Sequence, residues 1–332
     1  MKLKQYPKYK ESGVQWIGEI PEEWKIEKIR YVGRVSTSSV DKKTEKDEKI
    51  INLVNFTDVF NSKDKKVDSR IQFMQVSAKQ TQLITNQVKK GDLLITPSSE
   101  EMSEIGYSAV VTEHLKDTLY SYHLLRLSFN DNFELDLNYK RYAFNNHYVY
   151  SQFSSLCNGT TRMILGLDNI KKVNISIPPI EEQISIAKFL DKKIFEIDDL
   201  IAKNKNLIEL EKEKNYVLIN HVVTKGLDPN VKMKDSLAEW IGNAPKHWKI
   251  SKLKFEGGFQ AGISKDGSSF GYGSPFISYP DIYYSNVLKW TSNLVDSTRG
   301  DQVIFSVKKG DVFFTRTSET MDDIGNASTC LE

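Results

Sequence analysis

Cysteine is scarce in this sequence: only Cys157 and Cys330 occur, far apart and without neighbouring metal ligands. A disulfide framework or a zinc site is therefore not expected, and two reduced, ordinary cysteines are the better interpretation. The five histidines also lack metal-ligand spacing. We expect that this chain binds no metal ion.

Long apolar runs are missing as well. No stretch approaches the roughly 20 apolar residues of a membrane-spanning helix. The first seven residues, Met1 to Pro7, lack the apolar core of a secretory signal. The expected location is the cytoplasm, with no membrane partner.

Motifs of common catalytic sites are also absent. The sequence has no Gly-x-x-x-x-Gly-Lys-[Ser/Thr] phosphate loop and no Gly-x-Gly-x-x-Gly after a strand. It has no Asn/Asp-Pro-Pro-aromatic motif of adenine methyltransferases, because Pro178-Pro179 is flanked by Ile177 and Ile180. No clustered carboxylates suggest a nuclease. We therefore expect a chain without a catalytic site of its own.

Neither sign of charge dominates, since 46 Lys and Arg face 44 Asp and Glu, for a net charge of +2. Composition alone is thus weak support for a nucleic-acid partner. The 332 residues, of which 39% are hydrophobic, are enough for about two domains with ordinary cores.

What the sequence does have is an internal repeat. The segment 12–26, which contains Trp-Ile-Gly, Pro and Trp, recurs as 236–250. Lys-Lys-Gly-Asp at 89–92 recurs as 308–311, followed by several further matches. Glu332 aligns with Glu113, and nothing matches residues 114 to 225. The sequence therefore holds one whole copy of a duplicated unit and the first half of another.

Hydrophobic patterning predicts an α+β fold. Apolar, β-rich runs predict strands at 50–58, 92–96, 108–112, 122–129 and 173–177, and three- to four-residue spacing predicts a helix over 135–156. We expect a mixed α/β domain, a long coiled-coil helix and a partial second copy of the domain. The predicted boundaries are 1–178 for the first domain, 179–226 for the helix, 227–235 for a linker and 236–332 for the partial domain.

The long helix is indicated by Pro178-Pro179 before it, Gly226 after it, and the lack of Pro and Gly from 181 to 223. Nine acidic and seven basic residues make it a poor DNA binder. Three- and four-residue spacings predict a helix-pairing stripe made of Ala187, Leu190, Ile194, Ile197, Ile201, Asn204 and Ile208. The alternative is a helix packed on its own domain. Asn204 either sets the helix register or is simply exposed.

Several motifs in this order resemble a known family. They are Asn-Gly-Thr-Thr-Arg at 158–162, Ile-Ser-Ile-Pro-Pro-Ile-Glu-Glu-Gln-Ile at 175–184, Ile-Ala-Lys-Phe-Leu-Asp at 186–191, Ile-Asp at 197–198 and Val-Thr-Lys-Gly-Leu-Asp at 223–228. Together with the Trp-Ile-Gly motif they resemble the specificity subunit of type I restriction–modification systems, over about residues 10 to 260. The second copy departs from the family pattern because its domain is cut short and no second long helix follows.

The resemblance implies target recognition domains that each read one half of a split site in double-stranded DNA. It implies long helices that pair antiparallel and are clasped by methyltransferase subunits, to which motor-nuclease subunits can join. S-adenosylmethionine, ATP and Mg²⁺ would then belong to the partner subunits. One domain with one helix would work through a self-dimer. The alternative is a coiled-coil module that sequesters methyltransferase subunits without reading DNA.

The best candidate for DNA contact is the turn Gly159, Thr160, Thr161 and Arg162, because glycine permits close approach, hydroxyls bond phosphates and arginine carries a fixed fork of donors. Its alternative is an arginine that caps the preceding helix. A second candidate is the loop containing Ser98, Ser99 and Glu100, in which Glu100 can accept a hydrogen bond from a cytosine amine. Its alternative is a solvated turn.

The repeat partners of the second candidate include Arg316 and Thr317. A third candidate is the basic run that contains Lys63, Lys65, Lys66 and Arg70. A run of charges is more often just a solvated surface. Tyr122 and His123 are predicted to begin a strand and to have a structural role.

Overall fold

The computed structural model describes residues 5–14, 17–288, 291, 293–318 and 320–331. The chain forms two compact units, one that extends to Glu213 and one that begins at Lys214. The division falls inside the long helix, within the segment 179–226 that was predicted for that helix. Those boundaries stay a prediction.

The first unit is built from fourteen short strands among its described residues. They are β1 (Tyr9–Glu11), β2 (Glu19–Pro21), β3 (Lys25–Lys28), β4 (Gly33–Thr37), β5 (Lys49–Val54), β6 (Lys66–Val67), β7 (Met74–Ala78), β8 (Leu93–Ile95), β9 (Ser98–Ser99), β10 (Ser108–Val111), β11 (Thr118–Tyr120), β12 (Leu125–Phe129), β13 (Met163–Ile164) and β14 (Asn174–Ile177). Its helices are α1 (Ile29–Val32), α2 (Phe56–Phe60), α3 (Gln80–Thr85), α4 (Leu137–Phe144), α5 (His147–Leu156), α6 (Leu167–Ile170) and α7 (Ile180–Lys225), the last of which continues into the second unit.

A five-stranded sheet in the order β4-β12-β8-β10-β6 forms the centre of the first unit, beside a three-stranded sheet in the order β11-β5-β7. Helices α4 and α5 pack on the larger sheet, where Phe144 and Phe153 are fully buried together with Ile95 and Ile105. The mixed α+β fold and the long helix are thereby confirmed.

Three predicted elements differ from the structure. The helix expected over 135–156 is two helices, because Asn145 leaves helical geometry to bond the backbone of Ser108, and Asn146 caps α5 by accepting from the Val149 N–H at 3.1 Å. The strand expected from Tyr122 begins at Leu125, after a turn that the Leu124 N–H closes on the Ser121 carbonyl at 3.0 Å.

The strand expected over 50–58 ends at Val54, because the next residues turn into α2. There the Asn55 N–H donates to the Asp58 carboxylate at 2.7 Å, which closes the first turn of the helix. The predicted linker 227–235 also contains a strand, which starts at Met233. In each case a polar side chain or a pairing partner decided where the element ends.

The second unit repeats part of the first. Its strands are β15 (Met233–Asp235), β16 (Asn243–Pro245), β17 (Phe270–Pro275), β18 (Val287–Leu288), β19 (Leu294–Val295), β20 (Val312–Phe314) and β21 (Ala327–Cys330), and its further helices are α8 (Tyr279–Tyr284) and α9 (Arg299–Ile304). The sheet β18-β21-β20 has the directions of β6-β10-β8: one parallel and one antiparallel pair.

Candidate nucleic-acid interface

Two of the segments predicted to contact DNA lie side by side in the first unit. Strand β9 pairs antiparallel with β13, with Ser99 opposite Met163 and Ser98 opposite Ile164. The Leu165 N–H also donates to the Pro97 carbonyl at 2.7 Å. The 159–162 turn and the 96–100 segment, distant in sequence, therefore share one surface.

The turn 159–162 is a tight hairpin loop. Asn158 and Ile164 close it by exchanging two backbone hydrogen bonds of 3.0 and 2.8 Å. Gly159 has φ +138°, and a Cβ there would overlap the Arg162 carbonyl oxygen, so only glycine fits. All four residues of the turn are exposed. The carboxyl end of α5 is closed by the Cys157 N–H bonded to Phe153, so this helix end does not depend on the proposed arginine cap.

The segment 96–100 differs from the expected loop because Ser98 and Ser99 form strand β9. Ser99 is buried, and its hydroxyl accepts from the Glu101 N–H at 3.2 Å. The Thr96 hydroxyl likewise donates to the Tyr107 carbonyl at 3.1 Å. Ser98 is half-buried, which leaves Glu100 as the exposed polar side chain of the segment.

The basic run is largely committed to contacts inside the first unit. Arg70 forms ion pairs of 2.6 Å with both Asp64 and Asp68, and its hydrogen bonds hold the pKa of Asp68 below its usual value. The Lys65 ammonium lies 4.6 Å from the centre of the Tyr107 ring, and burial lowers its pKa. Lys66 is half-buried and lies in β6, while Lys63 is exposed. The run is therefore a weaker phosphate site than its sequence indicates.

Arg316 and Thr317 lie in the second unit, after β20. Both side chains are exposed, and the Thr317 carbonyl accepts from the Tyr279 hydroxyl at 2.9 Å. In the repeat they correspond to Pro97 and Ser98. The 159–162 turn of the first copy has no counterpart among the described residues of the second unit.

The long helix is anchored at its start and exposed beyond it. Ala187 is only 2% exposed and belongs to the core of the first unit, so this member of the predicted stripe packs on its own domain. Arg141, itself buried, holds Asp191 of the helix through bonds of 2.7 and 2.9 Å. Leu190 is half-buried, and the exposed members of the stripe are Ile194, Ile197, Ile201, Asn204 and Ile208. The start of the helix thus packs on its own domain, and pairing through the exposed remainder of the stripe stays a prediction.

Within the described part of the chain, no group of three or more His, Cys, Asp and Glu side chains could hold a metal ion. Across the same residues, no helix is long and apolar enough to cross a membrane.

The family model for type I restriction modification DNA specificity domains matches residues 21–210, more than half of the chain and nearly all of the first unit. The chain belongs to this family.

Among relatives of this specificity-domain chain is the putative type I restriction enzyme MjaX specificity subunit of Methanocaldococcus jannaschii. It is 26% identical over 309 residues, which cover 89% of this chain and 69% of that subunit. The type I restriction enzyme EcoKI specificity subunit of Escherichia coli K12 is 23% identical, over 48% of this chain and 34% of that subunit. The HsdS subunit of Thermoanaerobacter tengcongensis has 16% identity and a TM-score of 0.38, over 58% of this chain and 41% of that one.

The turn that contains Tyr122 and His123 was predicted to have a structural role. The Tyr122 N–H donates to the Val40 carbonyl at 3.0 Å, and the rings of Tyr122 and His123 lie 3.9 Å apart in an exposed turn. Burial and the nearby charges of Lys42 and Arg162 lower the pKa of His123. The charges of Lys42 and Arg162 thus both act on His123, although these three residues are far apart in the sequence.

Proposed function

We propose that this chain recognises DNA sequence and has no catalytic site of its own. The observation that carries the proposal is the surface made by the 159–162 turn and Glu100, on a domain of the specificity family. It combines an exposed arginine, two hydroxyls and a carboxylate. Such a set provides both phosphate contacts and base-edge contacts.

Each side chain of this surface has a defined chemical part in the proposal. Thr160 and Thr161 bond phosphate oxygens and fix the position of the domain on the duplex. Arg162 donates two parallel hydrogen bonds to a guanine edge, and Glu100 accepts from a cytosine amine. The family match and the exposure of the turn support these assignments.

The partners are part of the same proposal. Methyltransferase subunits would clasp α7, and motor-nuclease subunits would join through them, so that the complex acts at a split site in double-stranded DNA. S-adenosylmethionine, ATP and Mg²⁺ would be bound by those partners. Support comes from the names of the relatives, which are type I restriction enzyme specificity subunits.

The test is DNA affinity of Arg162→Ala, measured by fluorescence anisotropy over a range of salt concentrations. Loss of a base-contacting arginine costs about 1–3 kcal/mol, which is roughly a five- to 150-fold rise in Kd. The matched control Lys212→Ala removes a positive charge from the exposed helix and leaves Kd unchanged. Circular dichroism checks that both variants are folded. Equal affinity of Arg162→Ala and the unmodified chain would remove this turn from the interface.

A second candidate function is favoured by the exposed stripe on α7. Ile197 is 56% exposed and Ile201 47%, and an unpaired apolar stripe is unfavourable in water by roughly 25 cal/mol per Å². The chain would then sequester methyltransferase subunits without reading DNA. DNA affinity separates the two functions, because a sequestering module shows neither sequence preference nor a steep dependence on salt.

Self-pairing has its own test in Ile194→Asp with Ile201→Asp. Charges in the stripe should abolish dimers seen by analytical ultracentrifugation, because each aspartate would be desolvated at the interface. The control Lys203→Asp changes charge elsewhere on the same helix and should leave the dimer intact. A dimer that survives the double substitution would show that the stripe is not the pairing surface.

A further inference from the structure

The two copies begin with hairpins of the same backbone structure. Hairpin 1 (residues 9–21) pairs Tyr9 with Pro21, and hairpin 2 (residues 233–245) pairs Met233 with Pro245. The repeat continues past the hairpins, so that the segment 19–30 of the first copy corresponds to 243–254 of the second. Side chains at equivalent positions of the two copies can therefore be compared directly.

The two equivalent segments differ in charge. The segment 19–30 has four acidic and three basic residues, for a net charge of −1, whereas 243–254 has four lysines and no acidic residue, for a net charge of +4. Those lysines, all of them exposed, are Lys246, Lys249, Lys252 and Lys254. The shared backbone does not require this charge, because the first copy forms its hairpin without it.

The same positions are exposed in the first copy, where the neighbouring strand is present. There β3 pairs with β14, yet the side chains of Lys25, Lys28 and Arg30 are exposed. Their equivalents in the second copy are Lys249, Lys252 and Lys254. Pairing of this segment in a sheet thus leaves the basic side chains accessible.

An ion pair of the first copy is replaced by two like charges in the second. The Glu22 N–H donates to the Lys8 carbonyl at 3.2 Å, and the Lys8 ammonium lies 3.7 Å from the Glu22 carboxylate. At the equivalent place the Lys246 N–H donates to the Lys232 carbonyl at 2.7 Å, and both lysines are exposed. Two neighbouring ammonium groups repel each other, and an anion bound to both would relieve that repulsion.

Most of these lysines keep their charge available. Among the described residues, Lys232, Lys246 and Lys252 have no ion-pair partner, and Lys249 has only the exposed Glu256 at 3.7 Å. In this respect they differ from the basic run at 63–70, in which Arg70 is paired within the first unit.

We propose that Lys232, Lys246, Lys249, Lys252 and Lys254, the lysine strip of the second unit, bind the phosphate backbone of double-stranded DNA. Duplex DNA carries one negative charge per about 1.7 Å of its axis, so neighbouring phosphates supply an anion to Lys232 and to Lys246 at once. Phosphates carry no sequence information, so the strip holds a duplex of any sequence. The inference rests on the proposed function for its ligand, duplex DNA, and adds a second contact to the one proposed for the first copy.

The experiment measures the affinity of the full chain for a fluorescein-labelled duplex of random sequence, by fluorescence anisotropy at several salt concentrations. Each phosphate contact contributes about −0.9 to the slope of the logarithm of the binding constant against the logarithm of salt concentration. Lys246→Gln with Lys252→Gln should therefore reduce the magnitude of the slope by about 1.8. The matched control, Lys25→Gln with Lys28→Gln, removes the same charge from the first copy and should leave the slope unchanged.

A single substitution separates loss of phosphate binding from loss of folding. Lys246→Glu places beside Lys232 the carboxylate that Glu22 presents to Lys8 in the first copy. The midpoint of urea unfolding should therefore not fall, while the magnitude of the salt slope should decrease by at least about 0.9.

Two results would overturn the proposal. One is an unchanged slope in Lys246→Gln with Lys252→Gln, as expected if the strip binds an acidic protein instead of DNA. The other is an equally large change in the control. Selection from a random duplex library is run in parallel, and the same motif should be enriched with and without the strip substitutions. An unchanged slope with a motif still enriched leaves sequence recognition standing, and a reduced slope with no enriched motif leaves the strip standing.

Discussion

The two copies of the repeat share their local backbone but differ in what covers it. In the first copy the Thr96 N–H bonds the Tyr107 carbonyl at 2.8 Å, and in the second the Thr315 N–H bonds the Asn326 carbonyl at 2.9 Å. Ile105 is nevertheless fully buried, whereas its counterpart Ile324 is 57% exposed. Local sequence determines the turn and the strands, and a distant segment determines the burial.

That distant segment contains α4 and α5. A Cβ on Gly106 would overlap the Phe153 ring of α5, while the same atom on Gly325 would have nothing within 4 Å. Lys140 of α4 reaches the Gly91 carbonyl at 3.1 Å. The sequence holds no second copy of either helix. The same segment also ends in the 159–162 turn, so the first copy has both the covered core and the proposed contact surface.

The largest expected effect is the difference in stability loss between substitution of the buried Ile105 and substitution of the exposed Ile324. Ile105→Ala should destabilise the first unit by about 2–5 kcal/mol, because it leaves a cavity among α5 and the central sheet. Ile324→Ala should cost less than about 0.5 kcal/mol. Native-state hydrogen exchange measures β8 and β20 separately. Similar losses in both strands would contradict the difference in burial.

The next largest effect on stability is expected at two equivalent glycines of the two copies. Gly106 and Gly325 have φ of +83° and +82°, so alanine carries the same backbone strain at both. Gly106→Ala also forces the Phe153 ring to move, which adds about 1–3 kcal/mol of overpacking. The difference in unfolding free energy between the two variants therefore isolates the helix contact. It should vanish in a Phe153→Ala background; if it persists there, the ring is not its cause.

The last expected effect is a pH dependence confined to the first copy. Burial lowers the pKa of Lys140 to about 8, and its ordinary value is 10.5. Between these values the unfolded chain binds more protons than the folded chain, so stability should rise with pH from about 8 to 10.5. Lys140→Met removes this contribution. Subtracting its urea-unfolding profile from that of the unmodified chain isolates the lysine, and a flat or falling difference over this range would refute the assignment.

Much of the fold could be predicted from hydrophobic periodicity and from the positions of proline and glycine. Proline before and glycine after the long helix predicted 179–226, close to the observed α7. The helix break at Asn145 was not predictable, because that side chain leaves the helix to bond Ser108, 37 residues away. Ala187 was assigned to the pairing stripe because the stripe continues smoothly into the part of α7 that packs on the domain.

The candidate site was predicted unevenly for a similar reason. The turn 159–162 was visible as a glycine between a helix and a strand, with an arginine that stays exposed. The charges of Arg70 and Lys65 looked equally available, but Asp64, Asp68 and Tyr107 engage them through the fold. The effect of Lys42 and Arg162 on the pKa of His123 could not be predicted, because only the tertiary structure relates these residues.

The most direct test of DNA recognition is selection from a random duplex library by the purified chain, followed by sequencing of the bound pool. Reading by the first copy predicts that one short motif is enriched, that Arg162→Ala removes at least one position from it, and that Arg316→Ala leaves it unchanged. A bound pool with the same base composition as the library, at a salt concentration where the chain still binds DNA, would contradict sequence recognition.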